Sequence, residues 1–336
     1  MLSQETRLVF QNLLIPNEYK IETKVLALTD GSIYMGDAIN VHLKEKKKQK
    51  KNKNELYIPH GYGTAFNNKS GRKYEGLWYK GYAHGKGKLF FGINKENIVK
   101  YIGNFNMDQS DGDGELEFSN GDIIIGKWKN GILYTGKIIS KDNFEYNGSI
   151  KDYKKHGSGS IIYNNKTKHI GYWINGMRSG KGLTILSNGI KMIGMWKNDK
   201  PCGSMKLIFP PDHECEEYIG FCNKNTEPHG KGVMKYKNDY QYHGEWKNNA
   251  KNGNGIMKDN IGNYYSGTWE NDMRHGNGYF YYKFNEIAKY YKWENDNVVF
   301  EYDANDLYLL AKTTNYIYRN SSVKISDISA LQILYC

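Results

Sequence analysis

All seven tryptophans of this chain occupy one position of a repeating unit, and no other feature constrains the fold as strongly. Trp78, Trp128, Trp173, Trp196, Trp246, Trp269 and Trp293 are separated by about one or two multiples of 22 to 25 residues. Six of them have a glycine two residues earlier (Gly76, Gly126, Gly171, Gly194, Gly244, Gly267), and a hydrophobic or aromatic residue usually stands two before that. A polar stretch of about five residues follows, then two glycines with one residue between them. The clearest copy runs from Tyr74 through Gly76 and Trp78 to His84-Gly85-Lys86-Gly87. Tyr265 to Trp269 leads likewise to His275-Gly276-Asn277-Gly278, Tyr242 to Trp246 to Asn252-Gly253-Asn254-Gly255, and Ile170 to Trp173 to Ser179-Gly180-Lys181-Gly182. Where tryptophan is missing, Phe105, Ile150, Cys222 or Ala38 fills its slot, giving about ten units from Ile33 to Trp293.

Within a unit, Tyr74, Gly76 and Trp78 alternate with Glu75, Leu77 and Tyr79, the period of a strand with two unlike faces. The polar loop reverses the chain, and Gly85 to Phe90 forms a second strand. Asp30-Gly31, Asn120-Gly121 and Asn188-Gly189 then suit two-residue turns with positive φ at both positions, joining one hairpin to the next. A glycine recurring inside a strand calls for a steric reason. Here it admits an aromatic ring from a neighbouring strand against the backbone, so that stacked rings form a ladder along one face. Each repeat buries its face only against its neighbours, as in a solenoid. At roughly 4.8 Å between strands, such a ribbon would be curved and on the order of 100 Å long.

These residues closely resemble MORN repeats, whose pattern runs aromatic-acid-Gly-x-Trp, a polar loop, then His-Gly-x-Gly. The resemblance covers most of the chain, and about ten copies in register make it specific. It implies an all-β, elongated single-sheet solenoid of consecutive antiparallel hairpins. It also implies a non-catalytic scaffold, since many such proteins organise membrane-associated cytoskeleton, ciliary or flagellar axonemes, or membrane junctions. The expected organisation is an N-terminal cap over residues 1–32, repeats over 33–295 and a C-terminal cap over 296–336, with short helices at Leu2 to Ile15 and after Ser326. A partner helix or extended peptide would lie in a groove lined by Tyr74, Trp78, Trp128, Trp173, Trp196, Trp246 and Trp269, each of which equally suits a structural core. Pairing through an exposed end of the ribbon would give a homodimer.

The net charge is +11, and Lys44 to Lys53 supplies six of it through seven lysines and one glutamate. This tract lies in an insertion over residues 41–58 that interrupts the first repeat and reads as a disordered loop. Lys46, Lys47, Lys48, Lys50, Lys51 and Lys53 suit attachment to acidic phospholipid, at roughly 1 kcal/mol each near a membrane surface. That makes a phospholipid-binding membrane adaptor the alternative function. No stretch is apolar enough to span a bilayer and no secretory leader is evident, so a cytoplasmic protein associated with cytoskeleton or membrane is expected. The four cysteines form no disulfide framework, in keeping with a reducing compartment. Leu2 stands where myristoylation requires glycine, and the Cys336 terminus does not fit a prenylation box, so no lipid anchor is expected.

Nothing in the sequence argues for catalysis, nucleic-acid binding or a cofactor. Gly81 to Lys86 and Gly176 to Lys181 resemble a phosphate-binding loop, but the spacing is one residue short and no Ser or Thr follows the lysine. Asp111, Asp113, Glu115 and Glu117 alternate like calcium ligands, yet Leu116 stands where that loop needs glycine. His213, Cys215, Cys222 and His229 are zinc-ligand types within seventeen residues, with a spacing that fits no finger. Five histidines, His60, His84, His156, His229 and His275, recur at the His-Gly-x-Gly position and read as structural.

Overall fold

The tryptophan period folds into antiparallel strands that pair with their neighbours in sequence. The computed structural model describes residues 20–41 and 55–303 and contains 23 strands. They fall into two compact units, Met1–Asn164 and Asn165–Cys336. The first holds β1 (Ile21–Ala27) to β11 (Lys154–Tyr163), and the second β12 (Lys168–Ile174) to β23 (Asn297–Tyr302). From β2 (Ile33–Asn40) onward the described strands make five hairpins in the first unit and six in the second. The all-β class and the consecutive hairpins stand as the sequence predicts.

β4 (Arg72–Tyr79) and β5 (Tyr82–Phe90) show how one hairpin is built. Gly76 pairs with Gly87, then the register slips so that Trp78 faces Ala83. The slip is a bulge, and Gly85 within it has φ of 82°. The two glycines of His-Gly-x-Gly therefore do different jobs. The first supplies a left-handed backbone at the bulge, and the second leaves room on the ladder face. A Cβ on Gly76 would stand 2.6 Å from the Tyr74 hydroxyl and from the Gly87 Cα, distances that no side chain tolerates. The ring covering this pair comes from the same strand as Gly76, two residues before it, and only for Gly87 from the neighbouring one.

The turns depart from expectation. At Asp30-Gly31, Asn120-Gly121 and Asn188-Gly189 only the glycine has positive φ. At the first, the Gly31 N–H donates to the Leu28 carbonyl at 3.0 Å and the Leu28 N–H to the Ser32 carbonyl at 2.8 Å. These are three-residue loops, a four-residue turn closed by one left-handed glycine. The two-residue turns with both φ positive lie at the other end of the hairpins, where the sequence shows a polar stretch after tryptophan. Examples are Asn130-Gly131 (49°, 78°) in the first unit and Asn198-Asp199 (50°, 64°) in the second. Asparagine and aspartate tolerate this backbone well enough to serve without glycine.

β9 (Ile132–Ser140) and β10 (Phe144–Lys151) pair in unbroken register across a three-residue loop. β1 and β23 are the first and last of the described strands. The expected terminal helices, most of the basic insertion with its six named lysines, and residues beyond 303 lie outside the described residues.

Candidate functional site

The ladder face is built by rings meeting edge to face rather than stacked. In the first unit Tyr74 touches its own Trp78 at 5.1 Å between centroids and Phe105 of the next hairpin at 5.1 Å, and Tyr101 bridges Phe105 and Trp128 at 5.2 and 5.1 Å. In the second unit Tyr242 joins Trp246 to Trp269 and Tyr265 joins Trp269 to Trp293, with centroids 5.0 to 5.6 Å apart. Such pairs contribute about 0.5–1.5 kcal/mol beyond area burial. Several polar tips are satisfied internally, while among the described residues the indole N–H groups of Trp196 and Trp293 are buried without a hydrogen-bond partner. The Tyr74 hydroxyl donates to the Leu77 carbonyl at 2.9 Å, and the Trp78 indole N–H to the Gly63 carbonyl at 3.2 Å. Burial pushes the phenols of Tyr101, Tyr146 and Tyr265 up to about 12, which keeps each hydroxyl a donor.

All of the residues expected to line a groove are buried: Tyr74, Trp78, Trp128, Trp173, Trp196, Trp246 and Trp269 are each under 10% exposed. Their burial is what a structural core requires. Phe105, Ile150 and Ala38 are equally buried in the tryptophan slot.

Some ladder positions were misread or missed. The aromatic slot before Trp173 belongs to His169, not Ile170. His169 is 1% exposed, meets Trp173 and Trp196 edge to face, and has Nδ1 2.7 Å from the Thr184 hydroxyl. Among the described residues its Nε2 has no hydrogen-bond partner, and burial, with Arg178 nearby, lowers its pKa to about 4. Before Trp196 the slot is Met192, and the Met205 thioether takes the place of the ring over Gly194. Before Trp128 it is Ile124, with Leu133 over Gly126.

Cations cap several tryptophans. The Arg178 guanidinium lies 3.9 Å from the Trp196 ring centroid, Arg274 4.0 Å from that of Trp293, and Lys251 4.9 Å from that of Trp269. Each cation also reaches an aspartate in the following turn: Arg178 Nε to Asp199 at 3.0 Å, Arg274 Nε to Asp296 at 2.8 Å, and Lys251 to Asp272 at 3.8 Å. Those aspartates accept the backbone N–H of the same Arg or Lys at 2.9 Å and return their own N–H to its carbonyl. The result is a clamp between hairpins some 21 residues apart in sequence. The Asn-Asp pair after tryptophan signalled it, although only the turn was inferred from it.

The alternating acids of the first unit belong to the repeat. Asp111 stands in the histidine slot of Asp111-Gly112-Asp113-Gly114 and accepts the Asn130 N–H at 3.2 Å, as His60 accepts that of Lys80 at 3.3 Å. Asp113 faces Lys127 at 3.4 Å and Glu117 faces Lys100 at 2.6 Å. His213, Cys215, Cys222 and His229 are not brought together. Cys215 and Cys222 end opposite tips of β16 (Cys215–Cys222), paired with Tyr236 and Pro228. Burial holds their thiols up at about 11 and about 12, against the thiolate a metal needs. Among the described residues no cluster of three metal-ligating side chains occurs, and no helix is long and apolar enough to cross a membrane.

The MORN repeat pattern matches eight stretches: residues 74–93, 101–123, 146–168, 169–191, 193–210, 224–239, 242–264 and 265–283. The chain belongs to the MORN-repeat proteins. This repeat family is non-catalytic and is associated with scaffolds for proteins and membranes. Alsin from Rattus norvegicus and from Homo sapiens are each 29% identical over 118 residues, covering 32% of this chain and 7% of theirs. The chain thus spans a small part of the length of these curated relatives. Among solved structures, the SAS-4 (dCPAP) TCP domain of Drosophila melanogaster with a proline-rich motif of Ana2 (dSTIL) is 14% identical, covers 47% of this chain and 85% of that one, and has a TM-score of 0.27. The TCP10 domain of Danio rerio CPAP with a STIL peptide is 10% identical, covers 84% and 100%, and has a TM-score of 0.29. At such scores neither likeness bears on fold or partner.

Proposed function

We propose that the protein is a non-catalytic interaction scaffold of cytoskeletal, axonemal or membrane-associated structures. One observation carries the reading. The ladder consumes one face of each unit in holding it together, while strand register repeats side chains at fixed intervals on the other face, which alternates to solvent. A partner thereby meets an array of equivalent positions instead of a pocket. The cytoskeletal and axonemal setting comes from what MORN-repeat proteins commonly do. In situ proximity labelling with the full-length protein tests it. Enrichment of tubulin, axonemal or cortical proteins, unchanged when residues 44–53 are deleted, is the expected result.

A second reading is favoured by the seven lysines between Lys44 and Lys53, which suit an anionic membrane. In that reading the labelled proteins are membrane proteins and disappear on deletion. Sedimentation with phosphatidylserine vesicles that survives both the deletion and high salt would rule out the basic tract as the anchor.

A further inference from the structure

Part of the second unit is apolar on both faces. On β12, Ile170 and Tyr172 alternate with His169, Gly171 and Trp173, and so stand opposite the ladder. Strand pairing extends each position into a row. Ile170 faces Leu183 on β13 (Met177–Ile185), Leu183 faces Ile193 on β14 (Lys191–Lys197), Ile193 faces Lys206 on β15 (Lys200–Ile208), and Lys206 faces Ile219 on β16. In the adjacent row Tyr172, Met195 and Phe221 alternate with Ser179 and Lys181 on β13 and with Cys202 and Ser204 on β15. Leu183 is half-buried, and the other six apolar side chains are 39 to 54% exposed, on a face that is ordinarily polar in an antiparallel sheet. Lys206 interrupts the first row, but Glu217 holds its ammonium at 2.6 Å, leaving the methylene stem in line. The matching row of the first unit reads Thr64, Glu75, Lys88, Ile102, Glu115 and shows no such stripe.

Lysines border the stripe on both sides. Lys168 and Lys191 stand two residues beyond Ile170 and Ile193, and on the other side Lys197, two beyond Met195, faces Lys200. Among the described residues none of these four makes an ion pair. Residues 165–222, which span β12–β16, hold seven lysines and Arg178 against five acids, of which Asp199 is engaged by the Arg178 clamp, Glu217 by Lys206 and Glu216 by Lys235. The dimensions are those of a helix. Four interstrand steps of about 4.8 Å make the stripe about 19 Å long, which is about 13 helical residues. Lys191 and Lys197 are six residues apart on one strand, about 20 Å, which brackets the roughly 10–12 Å diameter of a helix with its side chains.

We propose that this face of β12–β16 docks an amphipathic α-helix from a partner protein. Its apolar residues, spaced i, i+3, i+4, i+7, lie on the stripe, and its aspartates and glutamates on both flanks meet Lys168, Lys191, Lys197 and Lys200. A second copy of this face would set its own Lys168, Lys191, Lys197 and Lys200 against these four, so an acidic partner is the better match. The inference rests on the scaffold reading and names the chemistry of the partner.

The test pans the full-length protein against a displayed library of peptides about 14 residues long, then measures the selected peptides by fluorescence anisotropy. The enriched peptides are expected to share the helical apolar spacing with acidic flanks. Their affinity should fall at least about tenfold in Ile193→Thr/Ile219→Thr, where threonine keeps the strand preference, and in Lys191→Glu/Lys197→Glu. The charge-reversed protein should select basic flanks instead. Failure to enrich any peptide, or peptides that bind both variants as they bind the wild type, overturns the proposal. So does binding to phosphatidylserine vesicles that both variants lose and that no peptide competes with, which would make the stripe a membrane surface. Proximity labelling with Ile193→Thr/Ile219→Thr separates the two levels. Unchanged enrichment sinks the helix and leaves the scaffold, whereas no enriched protein even for the wild type sinks the scaffold.

Discussion

Tyr74 and Gly87 show how few atoms decide a repeat. The glycine has no Cβ because the tyrosine ring fills that space, and the tyrosine hydroxyl then closes on the Leu77 carbonyl. Gly87→Ala is expected to destabilise the protein by about 3 kcal/mol or more, since overpacking here meets a ring with nowhere to move. Gly81→Ala is the control. Its φ of 92° strains an alanine, yet nothing lies within 4 Å of the new Cβ, so the cost should be about 1–2 kcal/mol. Urea denaturation of the two variants checks the order. His169 carries a second prediction. Its folded pKa of about 4 lies below the usual value of 6.5, so the unfolded chain takes up the proton first as pH falls. Stability is therefore full above about pH 6.5 and is lost progressively towards pH 4, by about 3 kcal/mol in total. His169→Tyr/Thr184→Leu, which restores the residue types found at Tyr101 and Leu116, should remove that loss. Denaturation midpoints of the two proteins that move in parallel between pH 7 and pH 4.5 would refute it. The tryptophans and glycines were legible because their period admits no other reading. His169 was not, because a one-residue shift of a strand motif is invisible until pairing fixes which side chain faces inward.

At the scale of the element, the turn after tryptophan is where one hairpin holds the next. Asp199 adopts a left-handed backbone, accepts the Arg178 N–H at 2.9 Å and also takes the guanidinium, while Arg178 covers Trp196. Asp199→Ala loses the side-chain acceptor and strains the turn, and is expected to cost about 1–3 kcal/mol. Asp199→Asn keeps an acceptor and tolerates the backbone, and should cost less than about 1 kcal/mol because the ion pair is half exposed. Hydrogen exchange at the Arg178 amide should accelerate in the alanine variant and stay near wild type in the asparagine one. Sequence reasoning found the hairpins but exchanged the two kinds of turn. Asn-Gly was assigned its commonest geometry, whereas here the three-residue loop needs one left-handed glycine and the Asn-Asp pairs take the tighter turn.

In the molecule as a whole, labour is divided between faces. Aromatic side chains that suggest a binding groove in the sequence are used to hold successive hairpins together, and recognition falls to the side that alternates with them. Amphipathic alternation was readable from the chain alone. Which face a unit closes upon was not, since both faces of β12–β16 carry large apolar residues and only the glycine pairs mark the inner one. The most direct test is acrylamide quenching of tryptophan fluorescence in the native full-length protein. Because all seven tryptophans are under 10% exposed, emission should be blue-shifted and nearly insensitive to the quencher until denaturant unfolds the chain. Red-shifted emission quenched in the native state as strongly as in the unfolded one would mean that the tryptophans line an open groove, and would contradict the ladder.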